Sequence, residues 1–312
     1  MTESLPPTVG APAATGASAA PGAPAPAVMT GAPAPRRRGR RTGRVWDAHL
    51  ILSIGALTML FPFLWQIKLS LSTRAEATAI PINLWPEELQ WENFVRAFEI
   101  IPFAEQMGVT VAYALARAAA ELVTCSLAGY AFARMRFPLR GPIFFLILTV
   151  LMVPGQIFLI PQYQMVQAAG LLDSFAAILA PGLVSAFGTF FMMQYFRKIP
   201  EELTEAARLD GCSPWQSFWL VVMPLARPAL LSLAVITLLA AWNNLLWPLV
   251  VISTTEKFPI AVGLAALQGD HLRGTDYPVV MAASLMAMLP VFLAFVIFQK
   301  RVIDGFALSS FR

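Results

Sequence analysis

Apolar positions fill this chain in blocks of roughly twenty, separated by shorter stretches where charge returns. A block of that length, at ~1.5 Å per helical residue, matches the ~30 Å hydrocarbon layer of a bilayer, so each is read as a membrane-crossing helix. Six are expected, near 49–67, 109–133, 142–161, 174–196, 228–251 and 277–298, which makes the fold class all-α and polytopic. The first is flanked by Trp46 and Trp65, indoles suited to an interface, and holds Pro62 as a kink. The second is interrupted by Arg117 and Glu121. Counting back from Arg134, Arg117 lies about 25 Å along the helix, at the far edge of the apolar layer, where it can snorkel. Glu121 sits a turn deeper and either pairs with Arg117 at i,i+4 or faces a water-filled cavity. The third block holds Pro154, Gly155 and Pro161 in an uncharged stretch too long for one helix. A span ending near Pro161 should therefore give way to a short helix at the outer interface. Gly182 and Gly188 in the fourth block permit close helix contact. The fifth carries Trp242, Asn243 and Asn244, and adjacent amides in an apolar helix need partners in a neighbouring helix, a cavity or a solute. Pro290 kinks the sixth.

Between the fourth and fifth blocks lies a long polar stretch, 197–227, with its own grammar. Pro200 followed by Glu201 and Glu202 starts a helix, since proline is tolerated in the first turn and acids favour the positive dipole end. An amphipathic helix should follow, with Leu203, Ala206, Ala207 and Leu209 on one side and Glu202, Glu205 and Arg208 on the other. Asp210-Gly211 stops it, and Ser213-Pro214 starts a second helix through Trp215, Phe218 and Trp219 toward Pro224 and Pro228.

Composition narrows the class. With 57% hydrophobic and 13% charged residues and a mean hydropathy of +0.65, the chain cannot hide its apolar surface in one soluble core. Cys125 and Cys212 make neither a disulfide framework nor a metal cluster, and no cofactor is expected. The absence of any G-x-x-x-x-G-K-[ST] run means that the chain supplies no nucleotide site of its own. Two distant histidines, His49 and His271, give no metalloprotease motif. Residues 1–44 are rich in Ala and Pro and then in Arg, and are expected to form a disordered cytoplasmic tail ahead of a transmembrane domain over 45–312. Its Arg36, Arg37, Arg38, Arg40, Arg41 and Arg44 suit anionic lipid beside a span and not nucleic acid. With that block inside, sixteen Lys and Arg fall on the cytoplasmic side and five outside, so both termini are expected in the cytoplasm.

The string Glu205-Ala206-Ala207, then Asp210-Gly211, then Pro224, resembles the EAA loop of the membrane subunits of binding-protein-dependent ABC importers. Further strings resemble the carbohydrate-uptake branch of that family, in the manner of the second permease of maltose-type systems. They are WPEELQWENFVRAF, AGYAFARMRFP, MVPGQIFLIPQY with Gly170-Leu171-Leu172-Asp173, and Trp242-Asn243-Asn244 with Trp247-Pro248. Asn244 stands where the family carries an acid. In the tail QKRVIDGFALSSFR, Gly305 matches while Ser310 and Arg312 depart. The resemblance implies that 45–312 is a permease domain of the type I importer fold in the cell membrane, a transport subunit and not an enzyme, forming half of a pathway for a sugar, with a cytoplasmic coupling helix seated in a separate ATPase. Glu205, Ala206, Ala207, Asp210, Gly211 and Pro224 would form that coupling segment. Trp242, Asn243, Asn244 and Glu121 would line either the pathway or a partner interface. The implied partners are a homologous second permease, two ATP-binding subunits and an extracytoplasmic solute-binding protein. The alternatives are an importer of a non-sugar polar solute or an ion-gradient-driven secondary transporter. The latter needs titratable groups deep in several spans, and Glu121 alone qualifies.

Overall fold

A computed structural model describes residues 42–268 and 275–310, with side chains over 48–268 and 275–297. The tail expected over 1–44 falls almost wholly outside the described residues, as do His271, Arg273 and Arg312. The chain divides into two units, 1–53 and 54–312, and the second holds the hydrophobic clusters and polar networks of the bundle.

Regular secondary structure among the described residues is helical. In chain order the α-helices are α1 (Thr42–Ser70), α2 (Arg74–Ala77), α3 (Glu92–Ile100), α4 (Phe103–Arg134), α5 (Arg140–Met152), α6 (Leu159–Ala168), α7 (Phe175–Leu179) and α8 (Ala186–Lys198). They continue with α9 (Glu201–Leu209), α10 (Pro214–Ser217), α11 (Met223–Leu225), α12 (Arg227–Trp242), α13 (Leu246–Val251), α14 (Ile260–Gln268) and α15 (Tyr277–Ser310). Three stretches, Ala48–Ser70, Phe103–Arg134 and Tyr277–Ile297, are long and apolar enough to cross a membrane alone, and three bent helix pairs raise the number of candidate spans to as many as 6.

The bends fall where backbone chemistry demands them. α5 stops at Met152 and the chain turns by 102°. Pro154 forces the residue before it, Val153, into an extended conformation, ending the helix well before Pro161. Pro161 lies instead in the first turn of α6, where its missing N–H leaves no bond unmade. The fourth span bends by 43° between Gly182 and Ala186, and Ser174 and Ser185 cap its two pieces with side-chain bonds to the Ala177 and Gly188 amides.

The fifth span departs from the expected 228–251. α12 ends at Trp242, because the Asn243 side chain folds back on the Leu239 carbonyl at 2.8 Å while its own amide takes the same acceptor. Pro248 has no N–H to return to the Asn244 carbonyl, so the chain restarts separately as α13. α4 begins earlier than expected and α15 continues past 298 to Ser310, carrying Gly305 inside a helix.

α4 runs through all three hydrophobic clusters. Cys125 and Tyr130 pack with Met192 and Phe196 of α8 and Leu233 of α12. Phe103 joins Ile260 and Val279, while Tyr113 and Ala114 join Ile178, Trp247 and Val251. The α4–α8 crossing depends on missing side chains: a Cβ on Gly129 would lie 2.8 Å from Met192 Cβ, and one on Gly188 would lie 2.7 Å from Cys125 Sγ.

At the opposite end of the bundle from α9, Asp173 ties two loops together. Its carboxylate accepts from Lys257 Nζ at 2.7 Å, from the Thr254 hydroxyl at 2.6 Å and from the Ser253 and Thr254 amides. The Lys257 ammonium, then the Thr254 and Ser253 donors, hold this carboxyl far below the usual carboxylate range. A depressed folded value means that the clasp stabilises fully above the ordinary aspartate value of about 3.8 and loses its contribution as pH falls below it. Asp173→Asn should therefore lower the melting temperature of the solubilised protein at neutral pH, with the gap to wild type narrowing as the buffer is taken below that value.

Candidate functional site

The polar stretch folds as the sequence grammar requires. Pro200 is the N-cap of α9, with Glu201 and Glu202 in the first turn. Asp210 is the C-cap, and Gly211 follows at φ +87°, a conformation that a Cβ disfavours. The Cys212 amide reaches back to the Ala207 carbonyl at 2.9 Å and the Gly211 amide to Arg208 at 3.0 Å, the paired bonds of a Schellman stop. Ser213 and Gln216 then exchange a capping box that starts α10. A π-helical turn over Phe218–Val222 follows, and Pro224 lies exposed in α11.

The residues that the sequence groups on the apolar side of α9 are split by the structure. Thr204 and Ala207 point inward, α9 packing on the Phe218–Val222 turn. Leu203, Ala206 and Leu209 point outward, with Leu209 90% exposed. Glu202, Glu205 and Asp210 are exposed around them. α9 lies on the turn beneath through Thr204 and Ala207, which leaves Leu203 and Leu209 uncovered. Ala206 and Ala207, adjacent in the sequence motif, thus serve opposite sides.

Where α9 leaves α8, the last residue of α4 is inserted. Arg134, its side chain only 7% exposed, pairs with Glu201 at 2.9 Å and donates to the carbonyls of Phe196, at 2.9 Å, and Ile199. Arg140 does the same for α4, donating to the Phe132 and Met135 carbonyls. The charges that the sequence reads as a basic cytoplasmic turn therefore also act as C-terminal helix caps. An arginine in the last turn of an apolar helix was the available signal.

Deeper in the bundle, α4 and α12 share a chain of polar contacts. Arg117 Nε meets Glu121 Oε1 at 2.9 Å, the i,i+4 pair. Glu121 is 4% exposed, and its other oxygen accepts from the Thr237 hydroxyl at 3.0 Å. Arg117 also donates to the Tyr113 hydroxyl at 3.1 Å, which in turn accepts from Asn244 Nδ2 at 2.9 Å. Gly182 makes room for this arginine, since a Cβ there would lie 2.8 Å from Arg117 Nε. Glu121 and Asn244 are thus brought into one network, and Tyr113 and Thr237 join it without any distinguishing pattern in the sequence beyond the i−4 spacing of Tyr113 from Arg117.

Trp242 and Asn243 go elsewhere. They line a cavity of about 190 Å³ with Ser284 and Met288 of α15 and Leu264 of α14. No charged side chain lines it among the described residues. The structure therefore separates the two amides, one in the α4–α12 network and one at a cavity.

Removing one member of the buried pair should be costly. Glu121→Ala strands the Arg117 guanidinium and the Thr237 hydroxyl and should cost about 3–5 kcal/mol, read as a lowered melting temperature. Arg117→Met combined with Glu121→Leu, which removes both charges, should cost less than Glu121→Ala alone.

Comparison with known proteins fits this geometry. Residues 125–305, more than half of the chain, match the family described as binding-protein-dependent transport system inner membrane component. The arabinooligosaccharides transport system permease protein AraQ of Halalkalibacterium halodurans is 32% identical, over 83% of this chain and 95% of that protein. The sn-glycerol-3-phosphate transport system permease protein UgpE of Pectobacterium atrosepticum is 31% identical, over 83% and 94%. A chain from the crystal structure of a bacterial ABC transporter involved in the import of the acidic polysaccharide alginate superposes with a TM-score of 0.73, at 27% identity, over 83% of this chain and 97% of that one. The chain belongs to the family of binding-protein-dependent transport system inner membrane components: it is a membrane-embedded permease subunit of the ABC importer class, a transport component and not an enzyme.

Proposed function

We propose that this chain forms half of the translocation pathway for a sugar and is driven by a separate ATPase through α9. The observation that carries the reading is the outward stripe of Leu203, Ala206 and Leu209 ringed by Glu202, Glu205 and Asp210. A solvated connector gains nothing by exposing leucines on the one face that its own subunit leaves free. A cleft in a partner with apolar walls and a basic rim would cover that face. Both termini and α9 then lie in the cytoplasm, as the Lys and Arg distribution favours. The assembly comprises a second permease, two ATP-binding subunits and an extracytoplasmic solute-binding protein.

The substrate class rests on the cavity at the α12 break. A break inside an apolar segment leaves backbone groups that lipid cannot satisfy, so it is suited to a water-filled path. Trp242, Asn243 and Ser284 offer an indole face, an amide and a hydroxyl with no charge, which suits a neutral hydroxylated ring better than a phosphate ester. AraQ and the alginate importer agree with a carbohydrate, whereas UgpE is named for a phosphate ester. Glu121 and Asn244 serve in this reading to hold α4 against α12 and not to touch solute.

Moving a two-state permease from 1:99 to 99:1 takes about 5.5 kcal/mol, which reaches the spans only if α9 and its exit are rigid. Gly211→Pro removes the +87° turn and the amide bonded to Arg208. The protein should insert at wild-type abundance, while ATP-driven uptake in vesicles without an ion gradient is lost; uptake at the wild-type rate would overturn the coupling reading. Trp242→Ala should raise the half-saturating sugar concentration several-fold while ATPase association is unchanged, and an unaltered value would remove the pathway role.

A further inference from the structure

Arg134 touches three successive pieces of chain at once: the last turn of α8 at Phe196, the connector at Ile199 and the first residue of α9 at Glu201. Glu201 is 74% exposed on its side chain, so the ion pair is screened and adds little to stability by itself. Its geometry matters more. A guanidinium is a planar fork that fixes several acceptors in one arrangement, which a lysine ammonium cannot do. The end of α4 therefore sets the angle at which α9 leaves α8.

The same helix holds the distant end of the bundle. Thirteen residues back from Arg134, about 20 Å along α4, Glu121 accepts from Thr237 of α12. About 12 Å further, Tyr113 accepts from Asn244, directly at the α12 break beside the cavity. α4 is one unbroken helix of 32 residues over this distance.

We propose that Arg134 is the positioning residue through which displacement of α9 enters α4, and that α4 carries it as a rod to Asn244 and the α12 break. This rests on α9 being the element that a separate ATPase drives. It adds the route, assigning Arg134 and Glu201 a role in transmission separate from seating α9 in its partner.

The test uses the whole importer, purified with its partner subunits and placed in proteoliposomes, with ATP hydrolysis and sugar uptake followed together. Glu201→Ala removes the exposed acceptor that ties Arg134 to the first turn of α9. Arg134→Lys keeps the charge and removes the fork. Both should retain ATP hydrolysis within about twofold while uptake per ATP falls at least about fivefold. A merely structural role would lower abundance or melting temperature and leave that ratio alone. Wild-type ratios in both variants would overturn the proposal, and so would loss of the ATPase from the complex with an unchanged ratio in what remains. Should Arg134→Lys fail to accumulate, the ratio for Glu201→Ala decides. A wild-type complex that purifies with no ATPase removes the coupling reading and this proposal together, whereas normal ratios in a complex that retains its ATPase remove this proposal alone.

Discussion

A guanidinium and a carboxylate one helical turn apart, Arg117 and Glu121, must be satisfied inside the bundle because hydrocarbon offers them nothing. The answer the chain gives dictates how α4 and α12 meet. Glu121 takes one donor from its own helix and one from Thr237, so the register between the two helices is fixed by a buried acceptor and not by apolar packing alone. Apolar side chains slide past one another with small energetic differences. A carboxylate that has lost its hydroxyl partner does not tolerate the same displacement. Gly182 belongs to the same arrangement, since the space that it leaves is where the arginine lies.

The same rule explains where the helices break. Each interruption has a local chemical cause. Pro154 ends α5 by constraining Val153, Asn243 ends α12 by taking the Leu239 carbonyl, and Ser174 and Ser185 restart the fourth span by capping exposed amides. At the α8–α9 corner the remedy comes from outside the segment, from Arg134 at the end of another helix. α4 reaches the other breaks in the same way, since Thr124 and Cys125 donate to the Leu183 and Ser185 carbonyls at the fourth-span bend and Tyr113 accepts from Asn244 at the α12 break.

Much of this was legible in the sequence, and the limits are physical. Apolar length located α1, α4 and α15, since membrane thickness leaves little freedom there. Pro200, Asp210-Gly211 and Ser213-Pro214 located α9 and α10, since each residue acts on its own backbone within a turn. Choosing Pro161 over Pro154 as the end of the third span failed because a proline breaks a helix from its interior and is harmless in a first turn, and position within the helix is not visible beforehand. The inward face of α9 was not legible because periodicity groups residues on a side without saying which side is covered. Thr204 and Ala207 won through close approach to the Phe218–Val222 turn, a tertiary fact. Tyr113, Thr237 and the capping role of Arg134 depend on partners far away in sequence.

The clasp at Asp173 has a mechanical corollary. It staples the α6–α7 loop to the loop after α13 through four acceptor contacts, and the Asp173 amide adds a bond to the Val251 carbonyl. The two loops are thereby welded into a single plate at the end of the bundle remote from α9. Any swing of the fourth span must take the foot of the fifth with it, so a passage that opens on that side has to part along a seam other than this one.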